Sequence, residues 1–215
     1  LTNGIYYYVW IKAKNKNGTS DFSPPAQAMP VFTVPFSIVA NFNITPSGTT
    51  AYDIQAIDID KDGDIDIVST LSNDNSLTWY ENDGSQNFIP HSIAIVGRSY
   101  SVNTIDVNGD EDIDVLVASY DNNTIAWYEN DGFQNFVEHI ITTDAIEARS
   151  VYAIDIDIDG DIDVLSASQG DNSIVLYKNN GLQFFKKYLI DNNAKEATDV
   201  FAIDIDGDGH IDVLS

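Results

Sequence analysis

The sequence predicts an all-β fold: a partial β-propeller of four-stranded antiparallel blades, preceded by a β-hairpin. Three observations predict it. A pattern of apolar residues and aspartates recurs at intervals of 48, 49 and 49 residues along a chain of 215. Each copy holds four short runs rich in Val, Ile, Tyr and Phe, separated by turn residues, which is a strand signature. No segment sustains helical periodicity. Four antiparallel strands in this length match one propeller blade. A β-solenoid competes, but its coils are shorter and its strands pair in parallel.

The first thirty residues have a character of their own. Tyr7, Val9, Ile11 and Ala13 alternate with Tyr8, Trp10, Lys12 and Lys14, a period-two strand. Asn17-Gly18 turns the chain, and Pro24-Pro25 and Pro30 end the hairpin. With Leu1 and Tyr7 at matching positions, residues 1–30 resemble the last strands of a fibronectin type III domain. Residues 31–50 then read as a linker and the outer strand of a preceding blade, with VANFNI from Val39 as a degenerate strand. Blade repeats follow at 51–98, 99–148 and 149–197, with the start of a fourth at 198–215. In the third copy the four runs begin at Ser150, Ile162, Ser173 and Phe184. Asn-Asp-Gly and Asn-Asn-Gly join the third and fourth runs as hairpin turns, because Asn and Gly tolerate positive φ. The first two runs are apolar on both faces, which suits sheets stacked face to face.

The repeated loops lie between the first and second runs. Position 1 is Asp58, Asp106, Asp155 and Asp204. Position 3 is Asp60, Asn108, Asp157 and Asp206, and position 5 is Asp62, Asp110, Asp159 and Asp208. Position 9 is Asp66, Asp114, Asp163 and Asp212. Position 7, Asp64, Asp112, Asp161 and His210, is expected to offer a backbone carbonyl. Position 6 is glycine in three loops and Glu111 in the second. Side chains at positions 1, 3 and 5 converge in a tight loop, and a hard cation such as Ca²⁺ takes six to eight oxygens. The loops hold 19 of the 34 acidic residues, so the net charge of −24 is concentrated there rather than spread over a solvated face. An Asp-rich turn without metal is the bland alternative; like-charge repulsion argues against it. The flanks are strands and position 12 is not Glu, which excludes an EF-hand. The second loop, with Asn108 and Glu111, is the weakest member.

The pattern D-x-D-x-D-G-x-x-D in blades of this length resembles the FG-GAP or VCBS-like repeats, which also build the integrin α-chain propeller. The resemblance runs from about residue 40 to the end. It implies one Ca²⁺ per loop, held at the positions named above. The chain lacks a clear Phe-Gly…Gly-Ala-Pro stretch and is nearer the bacterial-type members.

Other chemistry finds little support. There is no cysteine, which excludes disulfides, thiolate zinc sites and cysteine nucleophiles. No phosphate-cradling loop, HExxH motif or Ser-His-Asp order appears. His91 and His139 are one repeat apart, which favours strand packing over catalysis. Trp79 and Trp127 are equivalent to Leu176, so their slot wants apolar volume, while Tyr80, Tyr128 and Tyr177 recur in all three copies. Adjacent strand residues face opposite sides, and one of these rows, if exposed, is a platform for sugar rings. The acidic charge disfavours nucleic acid and anionic lipid, and no apolar run is long enough to span a membrane. Leu1 follows no leader and Ser215 closes a strand-like run, so the chain reads as a fragment whose open blade faces favour self-association. The expected function is a calcium-binding repeat module, not an enzyme. It belongs to a secreted or cell-surface protein and serves adhesion or the binding of a glycan or another protein. The alternative is an accessory domain of a larger extracellular enzyme.

Overall fold

The computed structural model describes residues 50–71, 75–85 and 87–215, together with the backbone of four short strands nearer the N-terminus. The chain divides into two units, Leu1–Phe42 and Asn43–Ser215. In the first unit, strand β1 (Tyr7–Val9) pairs antiparallel with β4 (Ala26–Ala28), and β2 (Lys14–Asn15) with β3 (Gly18–Thr19). Asn15 lies opposite Gly18, so Gly18 already belongs to the returning strand rather than to the Asn17-Gly18 turn expected there. Pairing resumes beyond Pro24-Pro25, contrary to the expectation that these prolines end the hairpin. Proline removes only its own N–H, and Ala26–Ala28 keep theirs. The linker expected over 31–50 and the degenerate strand from Val39 lie outside the described residues, Thr50 apart.

The second unit is built from meanders. The first sheet holds β5 (Ala51–Ile57), β6 (Asp66–Leu71), β7 (Ser76–Asn82) and β8 (Phe88–Ile95). The second holds β9 (Ser99–Ile105), β10 (Asp114–Ser119), β11 (Thr124–Asn130) and β12 (Phe136–Thr142). The third holds β13 (Ala148–Ile154), β14 (Asp163–Ser168), β15 (Ser173–Lys178) and β16 (Lys186–Asp191). A pair, β17 (Phe201–Ile203) and β18 (Asp212–Leu214), begins a fourth. Strands pair in sequence order and antiparallel, and no helix occurs among the described residues. This is the all-β, bladed architecture that the repeat predicts.

Sheets stack because both faces are apolar. Val68, Leu77 and Trp79 of the first sheet pack with Val102, Val117 and Tyr128 of the second. Leu116, Ile125 and Trp127 of the second pack with Val151, Val175 and Tyr177 of the third. Leu165 and Ile174 close on Val200 and Ala202. Fully burying each such side chain contributes about 1.5–3 kcal/mol. First strands adjoin, β5 beside β9, β9 beside β13 and β13 beside β17. A repeated polar tie links them at equivalent positions Asp53, Ser101 and Ser150. The Asp53 carboxylate accepts from Val102 N at 2.9 Å, Ser101 Oγ from Val151 N at 3.2 Å, and Ser150 Oγ from Val200 N at 3.3 Å. Burial, with some repulsion from Asp199, raises the Asp53 carboxyl above its ordinary value.

Candidate metal centres

Each Asp-rich loop joins the first two strands of a sheet, and the Asp at position 9 opens the second strand. The apolar residue at position 2 pins the loop to the core: Ile59 and Val107 are buried there. Two residues per loop sit at positive φ. Position 4 is Lys61, Gly109, Ile158 and Gly207, with φ of 63°, 79°, 61° and 78°. Position 6 is Gly63, Glu111, Gly160 and Gly209, with φ of 97°, 74°, 95° and 88°. The second loop has moved its glycine to position 4 and accepts a left-handed Glu111. Glycine has no Cβ to clash in this region, whereas a β-branched residue such as Ile158 is strained.

The carboxylate at position 1 organises the turn. Asp58 Oδ2 accepts from Gly63 N at 3.1 Å, Asp106 Oδ2 from Glu111 N at 2.8 Å, Asp155 Oδ2 from Gly160 N at 2.9 Å and Asp204 Oδ2 from Gly209 N at 2.9 Å. At position 5, Asp62, Asp110, Asp159 and Asp208 each accept from the N–H at position 7 at 2.8–3.0 Å. These bonds curl the backbone so that oxygens turn inward. Ligand oxygens of Asp58, Asp60 and Asp62 lie within 4.8 Å of one another. The same holds for Asp155, Asp157 and Asp163, and for Asp204, Asp206 and Asp212.

The second loop gathers no such set of acidic oxygens among the described residues. Asn108 stands at position 3, and its amide donates to Asp110 Oδ2 at 2.9 Å and to Glu129 Oε1 at 3.2 Å. Hydrogen bonds from the amide thus take up oxygens that a cation would otherwise claim.

Position 9 has a second task. Asp66 Oδ2 accepts from Ile59 N at 3.2 Å and its Oδ1 from Asn82 N at 2.8 Å. Asp114 clamps Val107 N and Asn130 N at 2.9 Å each. Asp163 takes Asn179 N at 2.8 Å and Ile156 N at 3.3 Å. These three are fully buried. Desolvation raises the Asp66 carboxyl, lifts Asp114 to about 7 and lifts Asp163 to about 6. Burial disfavours the charged form, and the backbone bonds offset only part of that cost.

Position 7 uses its side chain as well as its N–H. Asp64, Asp112 and Asp161 reach the turn between the third and fourth strands. A Cβ on Gly84, Gly132 or Gly181 would lie 2.6, 2.6 and 2.8 Å from their Oδ2 atoms. Asp112 also pairs with Lys61 of the preceding loop at 2.7 Å, tying two sheets together. His210, in the fourth loop, is exposed and donates its N–H to Asp208 Oδ1 at 2.8 Å.

A residue near the end of the third strand also stands beside the loop, which spacing within the loop did not reveal. Glu81 acts on Asp60, whose carboxyl is raised first by desolvation and then by the neighbouring acids. An open pocket of about 420 Å³ lies here, lined by Asp60, Trp79, Glu81, His91, Gln134 and Phe136 among others. His91 Nε2 meets Glu81 Oε2 at 2.7 Å, and its ring stacks on Trp79 at 4.6 Å. His139, Glu129 and Trp127 repeat the arrangement at 2.7 and 4.5 Å. The two histidines therefore orient a carboxylate, a role beyond the strand packing expected of them.

The aromatic rows need a correction. Trp79 and Trp127 are 3% and 2% exposed, and Tyr80, Tyr128 and Tyr177 are 1%, 4% and 1% exposed. Neither row is an open stacking platform. The two rows do face opposite sides, but the second and third sheets are covered on both faces. Trp79 packs in one cluster with Tyr128, and Trp127 with Tyr177.

A model of the FG-GAP-like repeat matches residues 58–117, 106–166 and 155–215. The chain belongs to the FG-GAP-like repeat family. No curated protein matches it. Each FG-GAP-like match starts at the first Asp of one loop and runs past the position-9 Asp of the next, so together they frame the same four loops. The residues present fit the calcium that the family implies. Asp58, a member of the first set, has its Oδ1 buried with no hydrogen-bond partner. A buried carboxylate oxygen without a donor is costly, and a hard cation among three carboxylates removes that cost. In the first loop Asp58, Asp60 and Asp62 would hold the ion. In the third Asp155, Asp157 and Asp163 would do so, and in the fourth Asp204, Asp206 and Asp212.

Proposed function

We propose that this chain is a calcium-stabilised propeller-repeat module of a secreted or cell-surface protein, with ligand recognition or adhesion as its task. One observation carries the calcium reading. Three of the four FG-GAP-like loops converge three acidic side chains within 4.8 Å, and one of those sets holds a buried oxygen without a partner. Calcium outside the cell reaches the range that extracellular modules of weak affinity need, which supports the location. The net charge of −24 supports cation binding and argues against nucleic acid as a partner. Among the described residues no helix is long and apolar enough to cross a membrane. The N-terminal hairpin, with β1 paired to β4, supports reading residues 1–30 as the end of a fibronectin type III-like domain.

A glycan or a second protein is the partner class we propose. The buried Trp and Tyr rows take no part in its recognition. In this reading the chain is a binding module rather than an enzyme, and the acidic sets gathered among the described residues serve the metal.

The deciding test is thermal melting with millimolar calcium and with chelator. Each site filled at a hundred times its Kd adds about 2.7 kcal/mol. We expect a calcium-dependent rise of several degrees. A melting temperature indifferent to chelator would remove the basis of the calcium reading.

A further inference from the structure

The loops are alike in sequence, yet one residue near the end of the third strand, at equivalent repeat positions, differs between sheets. It is Glu81 in the first, Glu129 in the second and Lys178 in the third. In the first two, a histidine stacked on tryptophan holds the glutamate, at 2.7 Å in each case. In the third, Leu176 and Tyr188 replace Trp and His. Lys178 is thereby freed to turn inward. Its ammonium pairs with Asp157 Oδ2 at position 3 and lies 3.3 Å from Asp159 Oδ2 at position 5. Lys178 and Asp159 line one open pocket beside the third loop, so solvent ions reach the lysine and its partners.

We propose that this third-strand residue decides how readily each loop takes a divalent cation, with Lys178 acting as a tethered counterion in the third loop. The inference rests on the calcium reading above. An ammonium among carboxylates relieves their mutual repulsion without any metal. Calcium must displace it, and the displaced lysine then stands as a like charge beside the ion. Glu81 has the opposite effect in the first loop, where it lines one pocket with Asp60 and adds negative charge there. The first loop is accordingly the stronger site and the third the weaker.

The test uses the 215-residue chain as wild type, Lys178→Met, Lys178→Glu and Glu81→Lys. Methionine keeps the stem and removes the charge. Calcium binding is followed by calorimetry and by equilibrium dialysis at a free concentration that leaves the weakest wild-type site unfilled. Lys178→Met should bind one additional calcium per chain at that concentration, with the weakest site tightened about tenfold or more. Lys178→Glu should do at least as much, and Glu81→Lys should weaken the tightest site. With chelator present, Lys178→Met should melt below wild type, because its carboxylates lose their counterion. If wild type binds calcium and the Lys178 variants match it in isotherm and in chelated melting, the counterion role is wrong. If wild type and all variants bind none, the calcium reading itself falls.

Discussion

A carboxylate in one of these loops answers to two kinds of partner, and single substitutions separate them. Asp66 is fully buried and spends both oxygens on the N–H groups of Ile59 and Asn82. Asp60 is less enclosed and faces Asp58 and Asp62. Asp66→Ala strands two N–H groups, at about 1–3 kcal/mol each when buried. We expect it to lower stability by about 2–4 kcal/mol in chelator and in calcium alike. Asp60→Ala should leave the chelated melt unchanged or slightly raised, since it relieves like-charge repulsion, and should cut the calcium-induced rise. Equal effects of the two variants in chelator would refute the division of labour. Ile158 makes a different point. It is β-branched, 71% exposed and held at φ 61°, where L-residues incur about 1–2 kcal/mol. The second and fourth loops place Gly109 and Gly207 there. After the glycine's own entropic cost of about 0.4–1 kcal/mol, Ile158→Gly should stabilise the chain by about 0.5–1 kcal/mol, read by denaturant titration.

The elements couple across the sheet in ways that local spacing conceals. The loop between the first two strands touches the turn between the last two, through Asp64 on Gly84, Asp112 on Gly132 and Asp161 on Gly181. Gly132 has φ of 75°, and a Cβ there would lie 2.6 Å from Asp112 Oδ2. Gly132→Ala must both strain the backbone and push that carboxylate away. A loss of about 1–3 kcal/mol is expected, with the Lys61–Asp112 tie between loops weakened as well. An alanine variant that melts like wild type would show the contact to be slack. The repeat length, the strand order and the Asp-rich loops were legible in the sequence, because each is a periodic pattern of residue types. The clamp by Asp66, the contact of Asp64 and the reach of Lys178 were not. They join residues about one strand pair apart, and periodicity shows that a residue recurs, not which partner it takes. The recurring Asn82, Asn130 and Asn179, and the recurring turn glycines, were the signal that could have exposed them. The Trp and Tyr rows misled for a related reason. Alternation assigned them to opposite faces correctly, but stacking buries both faces.

At the scale of the whole molecule, charge sets the response to pH and metal together. The chain carries −24, and burial raises the Asp114 carboxyl to about 7 and that of Asp163 to about 6, both from an ordinary 3.8. Without calcium, the folded chain keeps these protons at pH values where the unfolded chain has released them. Their contribution to stability is fully present below about pH 4 and is lost as pH climbs through 6 and 7. Asp83 and Asp131 run the other way. The Asn87 and Asn135 side chains hold their carboxyls low, so that contribution is present above pH 4 and lost below it. The chelated protein should therefore melt highest between about pH 4 and 6, and its melting temperature should rise as pH falls from 7.5 to 5. Calcium opposes the trend through the third loop, where Asp163 belongs to the acidic set and calcium competes with its proton. The rise in melting temperature that calcium produces should grow steadily from pH 5 to 7.5. Scanning calorimetry at matched ionic strength measures both curves. A chelated curve that falls on acidification from 7.5 to 5 would show that the buried position-9 carboxyls do not hold protons in the folded chain, leaving the loops governed by their exposed oxygens alone.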